Sequence, residues 1–268
     1  MKTYHRVLCI AGSDSSGGAG IQADLKTVSS LGCYGMTVIT ALTSQNTQGV
    51  TAIHAVPPDF IVAQLTAVIE DIGVDAVKIG MLFSAENIHA VSSVLHKYDL
   101  HNIILDPVMA SQSGRRLLQD DAIPILKSSL FQQVDLLMPN LPEAEILLGR
   151  KIHGPEGIQK AAIELSAMGC KDILIKGGHT DGMDTTDRLY LGRQDRFVSF
   201  RGSRVNTVND HGTGCTLSSA IASFLAKGML LEDAVQSAKQ YINGALQAGA
   251  EYTIGKGKGP VHHFYQYW

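Results

Sequence analysis

The feature that most constrains how this chain can fold is a repeated alternation of short apolar runs with longer helical patterns. RVLCIAG at 6–12 is typical of a buried strand. GIQADLKTVSSLG at 20–32 places its apolar residues on one side of a helix and then reaches a glycine stop. Strands that alternate with helices in this way are typical of a mostly parallel sheet with helices on both faces. The pattern therefore predicts an α/β fold.

The same alternation continues to the end of the chain, and no fixed-period repeat or low-complexity linker interrupts it. We therefore predict a single domain over residues 1–268. Two weaker strand patterns within 35–56 are expected to form a small β flap beside the main sheet. The predicted strands are 6–12, 35–45, 49–56, 75–81, 102–109, 134–138, 172–178, 187–192 and 196–200, and the predicted helices are 20–32, 58–72, 84–98, a segment near 120–130, 155–169, the run that follows 211–215, and 232–250.

Composition and charge argue against several classes of protein. The formal net charge of -3 leaves no broad basic face for nucleic acid. The N-terminus has too short an apolar run for a signal peptide, and no run approaches the ~20 apolar residues of a membrane-spanning helix. The cysteines, which are Cys9, Cys33, Cys170 and Cys215, fit neither a CxxC metal pair nor a disulfide framework. These observations predict a soluble cytoplasmic protein without a nucleic-acid or membrane partner.

The most informative motif is HGTGC at 211–215, a glycine-containing turn that leads into a helical run. Gly212 and Gly214 allow a ligand to approach the backbone closely, and the helix N-terminus that follows favours anions. The motif therefore indicates a phosphate site. A thiol at a helix N-terminus is expected to have a lowered pKa, so that Cys215 could accept a proton from a substrate hydroxyl. The alternative is an ordinary helix start with a small buried residue.

Other polar residues follow predicted strands, at the edge where parallel sheets bind their ligands. GSDSSGGAGIQADLKT at 12–27 is a second glycine-rich loop, but it has neither the ending of a P-loop nor the GxGxxG dinucleotide pattern. Asp24, in the helix that follows, is either part of a site or a solvated carboxylate. Asp106 ends the strand in LDPVM, where it could hold Mg²⁺ through water or orient a hydroxyl.

Two more strand-end loops carry groups that suit phosphates. Asn140 and Glu143 stand three apart at a helix start, which is typical of capping but also suits a metal–phosphate site. Lys176 in LIKGGH precedes two glycines at a strand end, where it could reach a phosphate. Five such loops on one chain together indicate phosphate chemistry. His262 and His263 have no further ligand spaced to complete a metal site, so packing or polar contacts are their expected role.

Eight segments between Ala11 and the C-terminus carry a family resemblance: AGSDSSGGAGIQADLKT, VITALTSQNTQGV, KIGML, LDPVM, PNLPEAE, IKGGH, NDHGTGCTLSSAIA and GKGPVHHF. Together they resemble the hydroxymethylpyrimidine/phosphomethylpyrimidine kinases of thiamine biosynthesis, within the ribokinase-like superfamily. Other sugar and nucleoside kinases of that superfamily usually have aspartate where this chain has Cys215. Cysteine there marks the pyrimidine kinases and a branch of the pyridoxal kinases.

The resemblance implies a ribokinase-like fold and an ATP- and Mg²⁺-dependent kinase, expected to form a homodimer. Such a kinase phosphorylates 4-amino-5-hydroxymethyl-2-methylpyrimidine and then its monophosphate. Cys215 would be the base or proton relay for the attacking hydroxyl. The anion hole would be formed by the backbone N–H groups of Gly212, Thr213, Gly214 and Cys215.

The resemblance also assigns the remaining site residues. Gln45 would hold the edge of the aminopyrimidine ring. The rest of the substrate pocket would be lined by Gly12, Asp24, Met81, Val108 and His211. The ATP phosphates would be contacted by Asp106, Asn140, Glu143 and Lys176, of which Asp106 and Glu143 would also be the Mg²⁺ ligands.

Two positions depart from the family pattern. Some members have glutamate at the position of Gln45, whereas a primary amide offers one donor and one acceptor to a neutral aminopyrimidine. Asp210 stands where threonine is common, and a carboxylate beside incoming phosphates needs a cation nearby or must point away. The alternative functions are a pyridoxal kinase of the same cysteine-containing branch and a non-catalytic vitamin-binding protein on the same fold.

Overall fold

A nine-stranded sheet is the central element of the residues that the computed structural model describes, which are 2–111, 113–178 and 184–268. Its strands are β1 (Arg6–Asp14), β2 (Tyr34–Asn46), β3 (Gly49–Ala55), β4 (Ala76–Ile79), β5 (Ile103–Leu105), β6 (Leu136–Leu137), β7 (Asp172–Ile175), β8 (Asp184–Leu191) and β9 (Arg196–Ser203). In space they lie in the order β3-β2-β1-β4-β5-β6-β7-β8-β9. The series from β2 to β7 is parallel, whereas β3, β8 and β9 run antiparallel to their neighbours.

Helices cover both faces of the sheet. They are α1 (Gly20–Ser30), α2 (Pro58–Asp71), α3 (Ala85–Lys97), α4 (Ala122–Ile125), α5 (Leu141–Leu148), α6 (Gly154–Ala167), α7 (Thr213–Ala226) and α8 (Leu231–Gly249). Successive residues of a strand point to opposite faces, so Leu8 and Ile10 of β1 join one apolar cluster while Val7 and Cys9 join the other. Helices α2 to α6 pack on the first cluster, and α1, α7 and α8 pack on the second.

This architecture confirms the predicted α/β fold with a mostly parallel sheet. The small flap predicted within 35–56 is the outer part of the β2–β3 hairpin, because β2 pairs with β1 over residues 34–43 and is a full member of the sheet. The helix predicted near 120–130 is irregular: after the single turn of α4 the chain continues as a π-helical segment, Leu126–Leu130. Among the described residues, no helix has both the length and the apolar character to cross a membrane.

Several strands end earlier than predicted, and this places polar residues at one edge of the sheet. β4 stops at Ile79 and β5 at Leu105, against predicted ends at 81 and 109. Pro107 follows β5 and has no N–H to donate to a strand ladder. Asp106 and the residues after Ile79 therefore leave the sheet as loops. They meet at the carboxyl edge of the parallel strands, where ligands of such folds bind.

Candidate active site

A cavity of about 770 Å³ opens at the carboxyl edge of the parallel strands. The two glycine-rich loops, at 12–20 and 209–215, form part of its wall. Every site residue predicted from the sequence lines this cavity except Asp24. Those residues are Gly12, Gln45, Met81, Asp106, Val108, Asn140, Glu143, Lys176, His211, Gly212, Thr213, Gly214 and Cys215.

The HGTGC turn is shaped by glycine. Gly212 precedes α7 with φ 80°, a left-handed conformation that favours glycine. A Cβ at Gly212 would lie 1.9 Å from the carbonyl oxygen of Gly18, so the two glycine loops are in direct backbone contact. Gly214 and Cys215 lie in the first turn of α7, where N–H groups have no acceptor from the helix itself. The turn therefore offers backbone donors to an anion in the cavity.

The HGTGC turn at 211–215, the candidate anion-binding turn, faces a cluster of charged side chains. A Cβ at Gly214 would lie 3.4 Å from Asp106 Oδ2 and 3.7 Å from Lys176 Nζ. Lys176 forms an ion pair with Asp106, and its Nζ lies 3.7 Å from Glu143 Oε2. Burial disfavours the ammonium form of Lys176, but the two carboxylates outweigh this and raise its pKa. Lys176 is therefore a permanent positive charge beside the turn.

The predicted capping of α5 is confirmed, and it orders two of these residues. Asn140 Oδ1 accepts from the backbone N–H of Glu143 at 2.9 Å, and Glu143 Oε2 accepts from the backbone N–H of Asn140 at 2.8 Å. This reciprocal pair is a capping box. Because the same Glu143 oxygen faces Lys176, one arrangement caps the helix and holds the charged cluster.

The carboxylates of Asp106 and Glu143 can be tested as magnesium ligands by their surroundings. Within the described ranges, no group of three or more His, Cys, Asp or Glu side chains is placed to hold a metal ion. Mg²⁺ commonly takes only one or two protein carboxylates and completes its shell with water and substrate phosphates. The pair therefore fits Mg²⁺ that arrives with a nucleotide, and does not form an all-protein metal site.

Cys215 is half-buried between two helix N-termini, its own and that of α1, whose Gly20 N–H donates to the sulfur. Burial raises the pKa of the Cys215 thiol to about 11, although the Lys78 ammonium acts in the opposite direction. The prediction of a lowered pKa is therefore wrong. Loss of water around the sulfur destabilises the thiolate more than the helix dipole and the Lys78 ammonium stabilise it.

Asp24 does not line the cavity, so its predicted place in the substrate pocket is wrong. Asp24 is a residue of α1 and lies fully buried on the side that faces α7. Lys78 Nζ donates to its two oxygens at 2.8 and 2.9 Å. Ser219, one turn after Cys215 on α7, donates to Asp24 Oδ1 at 2.7 Å. The ammonium of Lys78 takes the place predicted for Asp24 in the cavity wall. The signal was present in the sequence, because a lysine interrupts the otherwise apolar strand β4.

The sequence reading also missed Asp14, which connects the two glycine loops. Its Oδ2 lies 2.8 Å from His211 Nε2, and Gln45 Nε2 lies 3.2 Å from the same nitrogen. A second buried ion pair in the cavity wall was missed as well: Lys239 Nζ donates to Asp187 Oδ2 at 2.6 Å. The partners of these two pairs are 197 and 52 positions apart in the sequence. Asp14 and His211 each belong to a glycine-rich motif, but neither motif indicates that the two side chains meet.

The sequence also singled out Asp210, the histidine pair near the C-terminus and the histidine of the LIKGGH motif. Asp210, which departs from the family pattern, has the expected cation nearby, because its Oδ2 lies 3.6 Å from Lys258 Nζ. The expected packing or polar role of His262 and His263 is confirmed: His262 packs against Trp268 with tilted rings whose centroids are 4.5 Å apart, and His263 Nε2 lies 3.1 Å from the Thr216 hydroxyl. His179, the last residue of the LIKGGH motif, lies outside the described residues.

Known proteins resemble this chain over nearly its whole length. The family model for phosphomethylpyrimidine kinase matches residues 14–262. A hydroxymethylpyrimidine/phosphomethylpyrimidine kinase of Rhizobium meliloti is 47% identical over 262 residues, which cover 97% of this chain and 97% of that protein. The thiamine biosynthesis bifunctional protein ThiED of Geobacter sulfurreducens is 49% identical over 96% of this chain, but the chain spans only 52% of its length.

A solved structure agrees on the fold. The pyridoxal kinase of Bacillus subtilis in complex with ADP matches with a TM-score of 0.89 at 33% identity, over 97% of this chain and 98% of that one. The fold is therefore the ribokinase-like α/β fold expected from the sequence. The identity to this pyridoxal kinase is lower than the identity to the pyrimidine kinase of Rhizobium meliloti.

Proposed function

We propose that this chain, which belongs to the phosphomethylpyrimidine kinase family, uses ATP to phosphorylate 4-amino-5-hydroxymethyl-2-methylpyrimidine and then its monophosphate, in thiamine biosynthesis. One observation carries the proposal. The anion-binding turn that ends in Cys215 faces the Lys176–Asp106–Glu143 cluster across a single cavity. A hydroxyl beside the sulfur and a nucleotide phosphate beside the lysine would therefore meet at the first turn of α7.

The chain would contribute alignment and charge stabilisation, which are the main needs of phosphoryl transfer. The N–H groups of Gly212, Gly214 and Cys215 would receive the negative charge of the transferring group. The N–H of Thr213 donates to the carbonyl of Asp210 at 3.3 Å, and it would join them only on leaving that carbonyl. Lys176 would hold a phosphate oxygen, and Asp106 and Glu143 would hold Mg²⁺ through water and phosphate. When bound, the metal would neutralise phosphate charge. Asn140 would keep Glu143 in place through the capping box.

Cys215 would handle the proton of the attacking hydroxyl. Because its pKa is raised to about 11, the sulfur is a thiol at neutral pH and does not begin the reaction as a thiolate. In a loose transition state the hydroxyl loses its proton late, so a proton relay is sufficient. The sulfur would accept the hydroxyl proton while its own S–H proton passes to an oxygen of the transferred phosphoryl group, so that the thiol is restored at the end of the step. The ammonium of Lys78 lies in the same cavity wall and favours transient negative charge on the sulfur.

The pyrimidine ring would lie next to Cys215, in the part of the cavity that Gln45 and His211 line. Gln45 would hydrogen-bond its amino-substituted edge, since a primary amide has both a donor and an acceptor. Gly12, Met81, Val108 and His211 would line the rest of this pocket. A Cβ added at Gly12 would lie 2.9 Å from the Met81 sulfur, so Met81 packs directly against Gly12 in this wall.

The experiment that tests this proposal is a coupled ATP assay with the hydroxymethylpyrimidine and then with its monophosphate. We expect ADP release with both, and formation of the diphosphate in the second step. Pyridoxal is measured side by side, because the fold of a pyridoxal kinase superimposes on this chain. A higher kcat/KM for pyridoxal would replace the proposed substrate. The absence of ATP turnover with any hydroxymethyl heterocycle would favour a non-catalytic binding protein.

The proposal also covers the number of domains, the cellular location and the oligomeric state. We propose that residues 1–268 form one domain, on the support of one sheet that runs from β3 to β9. A reducing cytoplasmic location is supported by four free cysteines. A homodimer is supported by the family resemblance, and sedimentation equilibrium would decide it.

A further inference from the structure

We infer that the Asp14 carboxylate is a positioning residue that sets the tautomer of His211, and that His211 in turn sets which end of the Gln45 amide faces it. This inference rests on the proposed function to the extent that Gln45 is taken to hold the substrate ring. It adds a chain of three side chains, from the first glycine loop to the second and on to β2. Its consequence is the order in which donor and acceptor are presented to the ligand.

The Asp14 carboxylate is a hydrogen-bond acceptor only. Four donors of its own loop point at the carboxylate: the N–H of Ser16 at 2.8 Å, the Ser16 hydroxyl at 2.7 Å, the N–H of Gly18 at 3.2 Å and the N–H of Ala19 at 2.8 Å. Burial opposes the charge, but the hydrogen bonds from His211 and from this loop outweigh it and lower the pKa of Asp14. An ionised carboxylate has no proton to donate.

The contact with Asp14 fixes the proton on His211. Its Nε2 lies 2.8 Å from Asp14 Oδ2, within hydrogen-bond distance of a group that can only accept. Nε2 must therefore carry a proton, whether the ring is neutral or charged. It follows that Nε2 has no lone pair to offer to Gln45. An amide N–H placed 3.2 Å away would put two donors face to face.

Thr43 lies at the other end of the same amide. Thr43 Oγ1 lies 2.9 Å from the carbonyl oxygen of Ser13 and 3.2 Å from Gln45 Oε1. A hydroxyl has one proton, and the shorter contact to Ser13 uses it. The Thr43 oxygen is then left as an acceptor toward Gln45, which calls for an amide N–H on that side.

Both neighbours thus require the same orientation of Gln45, with Oε1 toward His211 and Nε2 toward Thr43. The two ends of a primary amide have nearly the same shape, so hydrogen bonding decides between them. This orientation is the amide turned by 180° from the placement in which Nε2 meets His211. It leaves one N–H and one lone pair of Gln45 for the ligand, in a fixed order. Glutamate at this position would have no such N–H.

The first experiment reads the tautomer directly and needs no substrate. Nitrogen-15 NMR of the histidine side chains, with His211 assigned by the signals lost in His211→Asn, reports which ring nitrogen is protonated. We expect a protonated Nε2. A neutral ring protonated only at Nδ1 would overturn the inference. This readout stands whether or not the chain phosphorylates a pyrimidine, so failure here is distinct from failure of the proposed function.

The second experiment tests whether Asp14 acts through Gln45. Asp14→Asn keeps an oxygen for the loop but puts an amide donor within reach of His211, so the ring and the Gln45 amide are expected to turn. Mismatch of two hydrogen bonds should raise KM for the hydroxymethylpyrimidine roughly ten- to a hundredfold, with KM for ATP near wild type. Ser16→Ala is the matched control, because it removes one loop bond to Asp14 and leaves the His211 contact.

The decisive comparison is a double-mutant cycle with Gln45→Ala. If Asp14 acts through Gln45, then Asp14→Asn adds little to the KM of the Gln45→Ala variant. An equal rise in KM in both backgrounds would show that Asp14 acts independently, and would overturn the inference. If the wild-type enzyme does not use the pyrimidine, the proposed function fails while the NMR result still decides the tautomer.

Discussion

At the scale of single residues, the chemistry of Cys215 is set by a competition. Its position at the start of α7 favours the thiolate, as does the nearby Lys78, yet burial disfavours it more strongly. The result is a neutral thiol among fixed charges: Lys78, Asp24 and Asp106 all act on it. A sulfur in this state suits transfer of a proton during the reaction better than storage of a negative charge before it.

The corresponding prediction concerns Cys215→Ser. A serine hydroxyl gives up its own proton far less readily than a thiol, which impairs the relay, so we expect kcat to fall roughly 10²–10⁴-fold, the usual contribution of general acid–base groups. ATP binding should stay close to wild type, because Lys176 and the backbone donors are unchanged. Steady-state kinetics together with calorimetric ATP binding provide the measurement. Cys33→Ala, which removes a buried thiol outside the cavity, is the control; a near-normal kcat for Cys215→Ser would remove the role given to Cys215.

At the scale of elements, the first turns of two helices both begin the helix and contribute groups to the candidate site. α7 begins at the anion-binding turn, and α5 begins with a capping box whose glutamate also faces Lys176. Local rules of capping therefore place charged groups without help from distant parts of the chain. That is why Asn140 and Glu143 could be read from the sequence as a helix start and as a candidate phosphate site together.

The prediction at this scale is that Asn140→Ala costs both stability and nucleotide affinity. Loss of the cap should lower the free energy of unfolding by about 1 kcal/mol. Because Glu143 then loses one end of its reciprocal pair, KM for ATP should also rise. Urea denaturation and ATP kinetics measure the two effects.

The control for this prediction is Ser84→Ala in α3. The Ser84 hydroxyl caps that helix by accepting from the N–H of Asn87 at 3.3 Å, and it lies outside the cavity wall. We expect a similar loss of stability with no change in KM for ATP. An Asn140→Ala variant with unchanged KM for ATP would reduce Asn140 to a structural cap.

At the scale of the whole molecule, the C-terminal segment packs back against the HGTGC turn. The N–H of His211 donates to the carbonyl of Gly259 at 3.0 Å, and that of Val261 donates to the carbonyl of His211 at 3.4 Å. His263 Nε2 meets the Thr216 hydroxyl, one residue beyond Cys215. Burial, together with nearby positive groups, lowers the pKa of His263 to about 3.

The change in unfolding free energy with pH tests the burial of His263 in this C-terminal segment. Folding lowers the pKa of His263 from about 6.5 in the unfolded chain to about 3. Its contribution to stability is therefore fully present above pH 6.5 and is lost as the pH falls toward 3. The loss amounts to about 1.4 kcal/mol per pH unit. Urea unfolding at pH 7 and pH 4.5 should therefore show a smaller drop in stability for His263→Gln than for wild type. His96→Gln, which removes an exposed imidazole on α3, should behave as wild type. Equal drops for His263→Gln and wild type would contradict the prediction.

The sequence by itself determined the α/β class and the order of its elements, because strand and helix periodicities are local properties of the chain. It also identified the strand-end loops and most residues of the cavity wall, since Asp106, Asn140 and Lys176 each follow an apolar strand. Boundaries were less certain, as the irregular segment after α4 illustrates.

Only the tertiary structure decided what those residues can do. The pairing of Lys78 with Asp24, the contact of Asp14 with His211 and the return of His263 to α7 each join residues at least 47 positions apart. The raised pKa of Cys215 likewise depends on burial, which no window of sequence contains. Charge and proton positions in this site follow from the three-dimensional surroundings of each group, whereas helix and strand follow from neighbours along the chain.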